Sequence, residues 1–246
     1  MITVKTFPVN PLEENTYVVS DATCQAMIID CGAMHRSEQE AVSAYLDHNG
    51  LHPVAHVLTH AHFDHVLGAP FLYETYGLAP RVHPADADLY THMDQQMLML
   101  MGRPLGLQLP PLGEPLGNYE EDENDNLNEN DNLNDNSNKC ASRFTRDDAP
   151  SPGTLCLGGL RFRIIHTPGH TAGGVCLYCA EEKVLFSGDS LFRQSIGRTD
   201  LPGGNYQMLI NALTRLFAWL PNDVTIYPGH GPATTASFER QYNPFL

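Results

Sequence analysis

The chain has 246 residues, 42% of them hydrophobic, which is enough for one large or two small domains with a sizeable core. Its net charge of −15 at neutral pH would repel phosphate backbones, and basic clusters such as Arg161 with Arg163 are too small to offset it, so nucleic acid is not an expected partner. No apolar run approaches the ~20 residues of a membrane span, and MITVKTFPVN lacks the basic start and apolar run of a signal peptide, so the expectation is a cytoplasmic protein without a membrane partner. The sequence leaves the oligomeric state open.

In chain order, ITVKTF, NTYVVSD and QAMIIDCG read as β-strands, being apolar, rich in β-branched residues and separated by turn residues. SEQEAVSAYLDHNG is predicted as an amphipathic helix with Ser37 at its N-cap, Glu40 three residues on and Gly50 as its stop. VAHVLTH is a short strand, and HVLGAPFLYETYG a helix ending at Gly77 with Asp64 where an N-cap would stand. RVH follows as a brief strand and PADADLYTHMDQQMLMLMG as a helix. In that helix Met97, Met99 and Met101 are read as packing side chains rather than the lining of a cofactor pocket.

From 102 to 152 the pattern fails, and this stretch is read as an acidic, Asn-rich insertion in a single domain spanning 1–246. ENDNLN at 123–128 is repeated at 129–134, and eight acidic residues lie between Glu120 and Asp135. With almost no apolar side chains to offset its ordering entropy, 118–138 is expected to be disordered. It lacks the central glycine and terminal glutamate of a calcium loop. Strands resume in GTLCLGGLRFRIIHTPGH, GGVCLYCAEEKVLFSGD and DVTIYPGH, with a helix at NYQMLINALTRLFAWL. The six cysteines are expected to be reduced thiols, and those of CLYC, in an apolar strand without a second CxxC, to be buried and inert.

THAHFDH, residues 59–65, crowds His60, His62, Asp64 and His65 into six positions. Further on, HTPGH ends at His170, FSGD at Asp189 and YPGH at His230, each following an apolar strand and a glycine at which the backbone can turn. Five imidazoles and two carboxylates suit two zinc-type ions with a shared water better than one ion. No Ser-His-Asp elbow or P-loop offers a different catalyst.

HAHFDH, HTPGH, SGD and YPGH, in that order, resemble the metallo-β-lactamase superfamily over nearly the whole chain outside 102–152. The resemblance implies an α+β fold, a four-layer αββα sandwich of two mixed sheets with helices on the outer faces and the metals at one edge. It implies His60, His62 and His170 on a first metal, Asp64, His65 and His230 on a second, and Asp189 bridging them, so that Asp64 and Asp189 are the candidate catalytic carboxylates. Zinc is the expected metal, with iron and manganese as alternatives.

Within the superfamily, GDSLFRQSIGRTDLPGG at 188–204 and PGHGPATTASFERQYNPFL at the end look like the short bacterial relatives of glyoxalase II, the hydroxyacylglutathione hydrolases. Arg198 falls where those proteins place a basic residue near the substrate, giving a candidate substrate-binding residue, with pairing to Asp200 in a surface loop as its alternative. Full-length glyoxalase II carries a helical C-terminal domain that binds much of the glutathione, whereas sixteen residues follow His230 here, which leaves the thiol carrier open. The implied reaction is hydrolysis of a small-molecule thioester such as S-lactoylglutathione by a metal-bridging hydroxide. A persulfide dioxygenase with one iron on His60, His170 and Asp189 is the alternative enzyme; a nuclease is disfavoured by the acidity, and a non-catalytic metal-binding scaffold by the complete ligand set.

Overall fold

Residues 1–117 and 153–246 are described by the computed structural model, so the stretch 118–138, expected to be disordered, lies outside the described residues. The first sheet holds β1 (Thr3–Val9), β2 (Glu14–Ser20), β3 (Gln25–Ile29), β4 (His52–Val57) and β5 (Pro80–Arg81), side by side in that order. Its first three strands pair antiparallel, and β4 and β5 add in parallel. The parallel step from β3 to β4 runs through helix α1 (Arg36–His48).

The second sheet is built from β6 (Thr154–Leu157), β7 (Leu160–His166), β8 (Val175–Cys179), β9 (Val184–Gly188), β12 (Thr225–Pro228) and β13 (Thr234–Thr235), in the order β13-β12-β9-β8-β7-β6. Between β9 and the parallel β12 the chain makes a small hairpin, β10 (Leu191–Phe192) with β11 (Ser195–Ile196), and helix α6 (Tyr206–Trp219).

Alternation along the strands sends one set of side chains between the sheets and the other under helices. Tyr17, Val19, Met27, Ile29 and Val57 of the first sheet meet Phe162, Ile164, Leu177 and Phe186 of the second. The opposite faces carry Val18 and Ile28 under Val42 and Leu46 of α1, and Leu185 and Ile226 under Leu209, Leu213 and Leu216 of α6. Two mixed sheets with outer helices make the expected four-layer αββα sandwich. Cys176 and Cys179 of CLYC fall on opposite faces of β8, in different core clusters, so they cannot act as a pair; burial pushes both thiols up to about 11, as suits inert packing groups.

Several boundaries differ from the expectation. α1 begins at Arg36, and Ser37 lies within it; Glu38, not Glu40, reaches back, accepting from the amides of His35 (2.8 Å) and Asn10 (2.8 Å). The helix expected over 65–77 is two short ones, α2 (Phe63–Val66) and α3 (Ala69–Tyr76), broken where the Gly68 amide donates to Cys31 O at 2.8 Å. Asp64 sits inside α2 and caps nothing, because its side chain turns towards His230. The methionine-rich helix also divides, into α4 (Ala87–Thr91) and α5 (Met93–Met101), and a last short helix, α7 (Ala236–Tyr242), was not expected.

Residues 103–117 lack helix or strand and are largely exposed, but are anchored at Pro110 and Leu116. Leu116 is fully buried and its amide donates to Val82 O, while Tyr90 donates to Pro110 O at 2.8 Å.

Candidate metal centre

Four chain turns meet at one edge of the sandwich. The turn after β4 runs into α2 and carries His60, His62, Asp64 and His65; the turns after β7, β9 and β12 carry His170, Asp189 and His230. All seven residues proposed from the sequence are brought together, and six are nearly or fully buried, His230 being the most open. His62 Nδ1 faces His170 Nε2 at 2.8 Å, and His230 Nε2 lies 3.1 Å from Asp64 Oδ2. Asp189 stands between the two groups, with oxygens 3.4 Å from His65 Nε2, 3.6 Å from His170 Nε2 and 3.7 Å from His230 Nε2.

The hydrogen bonds behind the rings fix which nitrogen faces inward. His170 Nδ1 donates to Arg198 O at 2.7 Å and His230 Nδ1 to Leu12 O at 3.0 Å. His65 Nδ1 donates to Asp30 Oδ2 at 3.0 Å. Thr59 gives its one hydroxyl proton to Asp30 Oδ2 at 2.7 Å, so its oxygen accepts from His60 Nδ1, 3.1 Å away. Four rings thus spend Nδ1–H on the surrounding protein and turn Nε2 to a common centre.

Within that centre His60 Nε2, His65 Nε2 and Asp189 Oδ1 are buried without a hydrogen-bond partner. Leaving such atoms unpaired costs about 1–3 kcal/mol each, so the arrangement is stable as a binding site and poor as a closed core. Among the described residues the donor atoms of His60, His62 and His170, of His60, His65 and Asp189, and of Asp64, His65 and His230 are each close enough together to hold an ion.

Electrostatics point the same way. Burial, with His65 and His170 adding to it, holds the pKa of His60 well below its usual value, and burial with His170 takes His62 down to about 3. Burial would also lower His65, but Asp189, Asp30 and Asp64 outweigh it and hold that ring well above its usual value. Burial would raise Asp64 and Asp189; His65 in each case, with His230, keeps both carboxyls below the ordinary range. The site therefore holds His60 and His62 as neutral imidazoles and His65 as an imidazolium balanced by ionised carboxylates that call for positive charge, a call that a zinc, iron or manganese ion on this donor set would answer in place of the proton.

Arg198 shows the pairing given as its alternative. Its exposed guanidinium forks onto Asp200, with Nε at 2.8 Å and Nη2 at 2.7 Å, because two residues of one loop can meet without bending the chain. What it contributes to the centre is its backbone oxygen on His170.

Several residues here escaped the sequence reading. Asp30 accepts from the Thr59 amide (2.7 Å) and hydroxyl and from His65, and IIDCG has the strand-end Asp near a glycine that singled out Asp189. Glu14 is fully buried, 3.8 Å from His65 Nδ1, and lies just before NTYVVSD with nothing local to mark it. Asn15 donates to Pro228 O at 3.0 Å and Gly231 O at 2.8 Å, and Tyr17 to Pro228 O at 2.6 Å, clamping the turn that carries His230.

The metallo-beta-lactamase superfamily model matches residues 9–134 and 152–230. A hydroxyacylglutathione hydrolase, GloC, of Haemophilus influenzae is 28% identical over 246 residues, covering 99% of this chain and 97% of that one. The crystal structure of the BLEG-1 B3 metallo-beta-lactamase superposes with a TM-score of 0.76 at 30% identity, covering 99% of both chains. That of TTHA1623 in a di-iron-bound form does so with 0.73 at 34%, covering 99% of this chain and 100% of the other. The strand-end histidines and aspartates, the αββα sandwich and these likenesses agree: the chain belongs to the metallo-β-lactamase superfamily.

Proposed function

We propose that this metallo-hydrolase cleaves thioesters with two divalent ions, zinc by preference, the first on His60, His62 and His170, the second on Asp64, His65 and His230, with Asp189 between them. The observation that carries the reading is the inward turn of four Nε2 atoms whose Nδ1 partners are already spent, next to carboxylates held ionised. Bound divalent ions would bring the pKa of a water towards neutrality and polarise the substrate carbonyl. The chain's part is to keep the donors in place: Asp30 and Thr59 orient His65 and His60, and Arg198 O and Leu12 O orient His170 and His230.

A thioester suits this inventory because its leaving thiolate, with a pKa of about 8.5 like free cysteine, departs without a general acid. Similarity to a protein named hydroxyacylglutathione hydrolase supports the same reaction class. The test is metal content by mass spectrometry on protein purified without added metal, together with hydrolysis of S-lactoylglutathione and other thioesters. About two zinc ions per chain with turnover is expected, and His230→Ala should cripple it. One iron per chain, with oxygen uptake on glutathione persulfide and activity that survives His230→Ala, would replace this reading with the dioxygenase.

A further inference from the structure

A cavity of about 370 Å³ opens beside the centre, and His62 is a member of both. Its remaining wall comes from α4, α5 and the loop before α6, with Gln95, Gln96, Met99, Leu100, Leu201 and Pro202 among its lining residues. No lysine or arginine is among the described residues that line it, and Asp88 at its rim is acidic. The polar atoms of Gln96 are already used: Nε2 donates to Ala61 O at 3.0 Å and Leu89 O at 2.7 Å, and Oε1 accepts from the Phe63 amide at 3.1 Å. His92 is likewise turned onto Asp88, with Nδ1 2.9 Å from its backbone oxygen. Gln96 therefore shows the space its methylenes, and beside it stand Met99, 54% exposed, and Leu100. α5 leaves apolar side chains uncovered at this place, next to where the chemistry would occur.

We infer that this cavity receives an apolar acyl chain, so that the substrate is a thioester of a medium-length acyl group rather than one chosen through its thiol. The assignment rests on the thioester-hydrolase reading above and deepens it. A lactoyl group would fill little of a space that holds on the order of ten water-sized groups at ~30 Å³ each. A glutathionyl group, with two carboxylates and an ammonium, would meet no cation there. In the reaction water adds to the carbonyl carbon and the C–S bond breaks; one of the water's protons ends on the departing thiolate and the other passes to solvent, leaving a carboxylate whose chain stays in the cavity until release.

The experiment uses the metal-loaded protein and acetyl, butyryl, hexanoyl and octanoyl thioesters of one small neutral thiol, N-acetylcysteamine, beside S-lactoylglutathione. kcat/KM is expected to climb from acetyl to hexanoyl by up to about four-fold per methylene, the rate equivalent of burying a CH₂. Met99→Asp, a change at an exposed position, should bring the hexanoyl-to-acetyl ratio towards one. A second readout needs no turnover: in protein carrying [13C-methyl]methionine, the Met99 signal, assigned with Met99→Leu, should move saturably with octanoate and not with acetate. A flat chain-length series, preference for S-lactoylglutathione over the hexanoyl ester, or a Met99 signal indifferent to octanoate each overturns the acyl cavity. If every thioester is inert while the Met99 signal still responds, the hydrolase reading falls and the cavity stands as an apolar-ligand site.

Discussion

Asp30 shows how one side chain can set the chemistry of an edge it does not occupy. It takes three hydrogen bonds, from the Thr59 amide and hydroxyl and from His65 Nδ1, and through Thr59 it also fixes the ring of His60. Asp30→Asn removes the charge that holds His65 in place and offers a donor where an acceptor is needed. Metal affinity is expected to fall about 10–100-fold, as for other partners of ligating histidines, which a competition titration with a zinc chelator would read; unchanged affinity would show that His65 needs no orientation from behind. A second buried residue gives a pH signature instead. His56 in β4 has neither ring nitrogen partnered, and burial takes its pKa down to about 3. The folded state thus binds its proton later than the unfolded chain, whose value is about 6.5, so stability present above pH 6.5 is lost as pH falls towards 3. The penalty is about 2 kcal/mol at pH 5. His56→Leu, apolar and of comparable bulk, should flatten the stability profile by that amount between pH 7 and 5 in urea titrations, and parallel profiles for the two proteins would refute it.

At the scale of elements, α6 ties packing to the site. Asn205 caps it, its side chain accepting from the Met208 amide at 3.0 Å, and the Asn205 amide donates to Gly169 O at 2.7 Å, directly before His170. Apolar side chains at 209, 212, 213 and 216 then face the second sheet. Asn205→Ala is expected to cost about 1 kcal/mol of stability, a fall of about 2–4 °C in Tm for a chain of this size, and to weaken metal binding through the His170 turn; calorimetry with metal titration separates the two effects. α6 and the long strands were legible because their periodicity is strong and their neighbours local. The four metal-bearing turns were legible too, since a histidine or aspartate after glycine at a strand end stands out from its surroundings. What was not legible depends on residues distant in sequence: the break at Gly68 is made against Cys31, the placement of Asp64 against His230, and the clamp from Asn15 and Tyr17 against Pro228. The fork of Arg198 onto Asp200 was one of two local readings, and local charge alone could not choose between them.

At the scale of the whole molecule, the centre joins the two halves of the sandwich. Residues before 118 supply His60, His62, Asp64 and His65, and those after 152 supply His170, Asp189 and His230. The halves meet around it through Asp86, which accepts from the Ala61 amide (3.1 Å), the Thr171 hydroxyl (2.8 Å) and the Gly173 amide (2.6 Å). They meet also through the Val175 amide on Thr59 O (2.9 Å) and the pairing of Glu14 with His230. An ion bound by both halves should act as a cross-link that the unfolded chain cannot reproduce. By mass action, metal free at about a thousand times its dissociation constant adds about 4 kcal/mol of stability, which for a chain of this length is on the order of 10 °C in Tm. Treatment with a chelator should therefore lower Tm by roughly that amount, and adding zinc back should restore it. Because the mechanism is linkage across the sandwich, Asp189→Asn, which takes away the carboxylate between the two groups, should shrink the chelator-induced shift. If Tm is the same with and without metal in the unaltered protein, no ion binds the folded chain in preference to the unfolded one, and the cross-link is wrong.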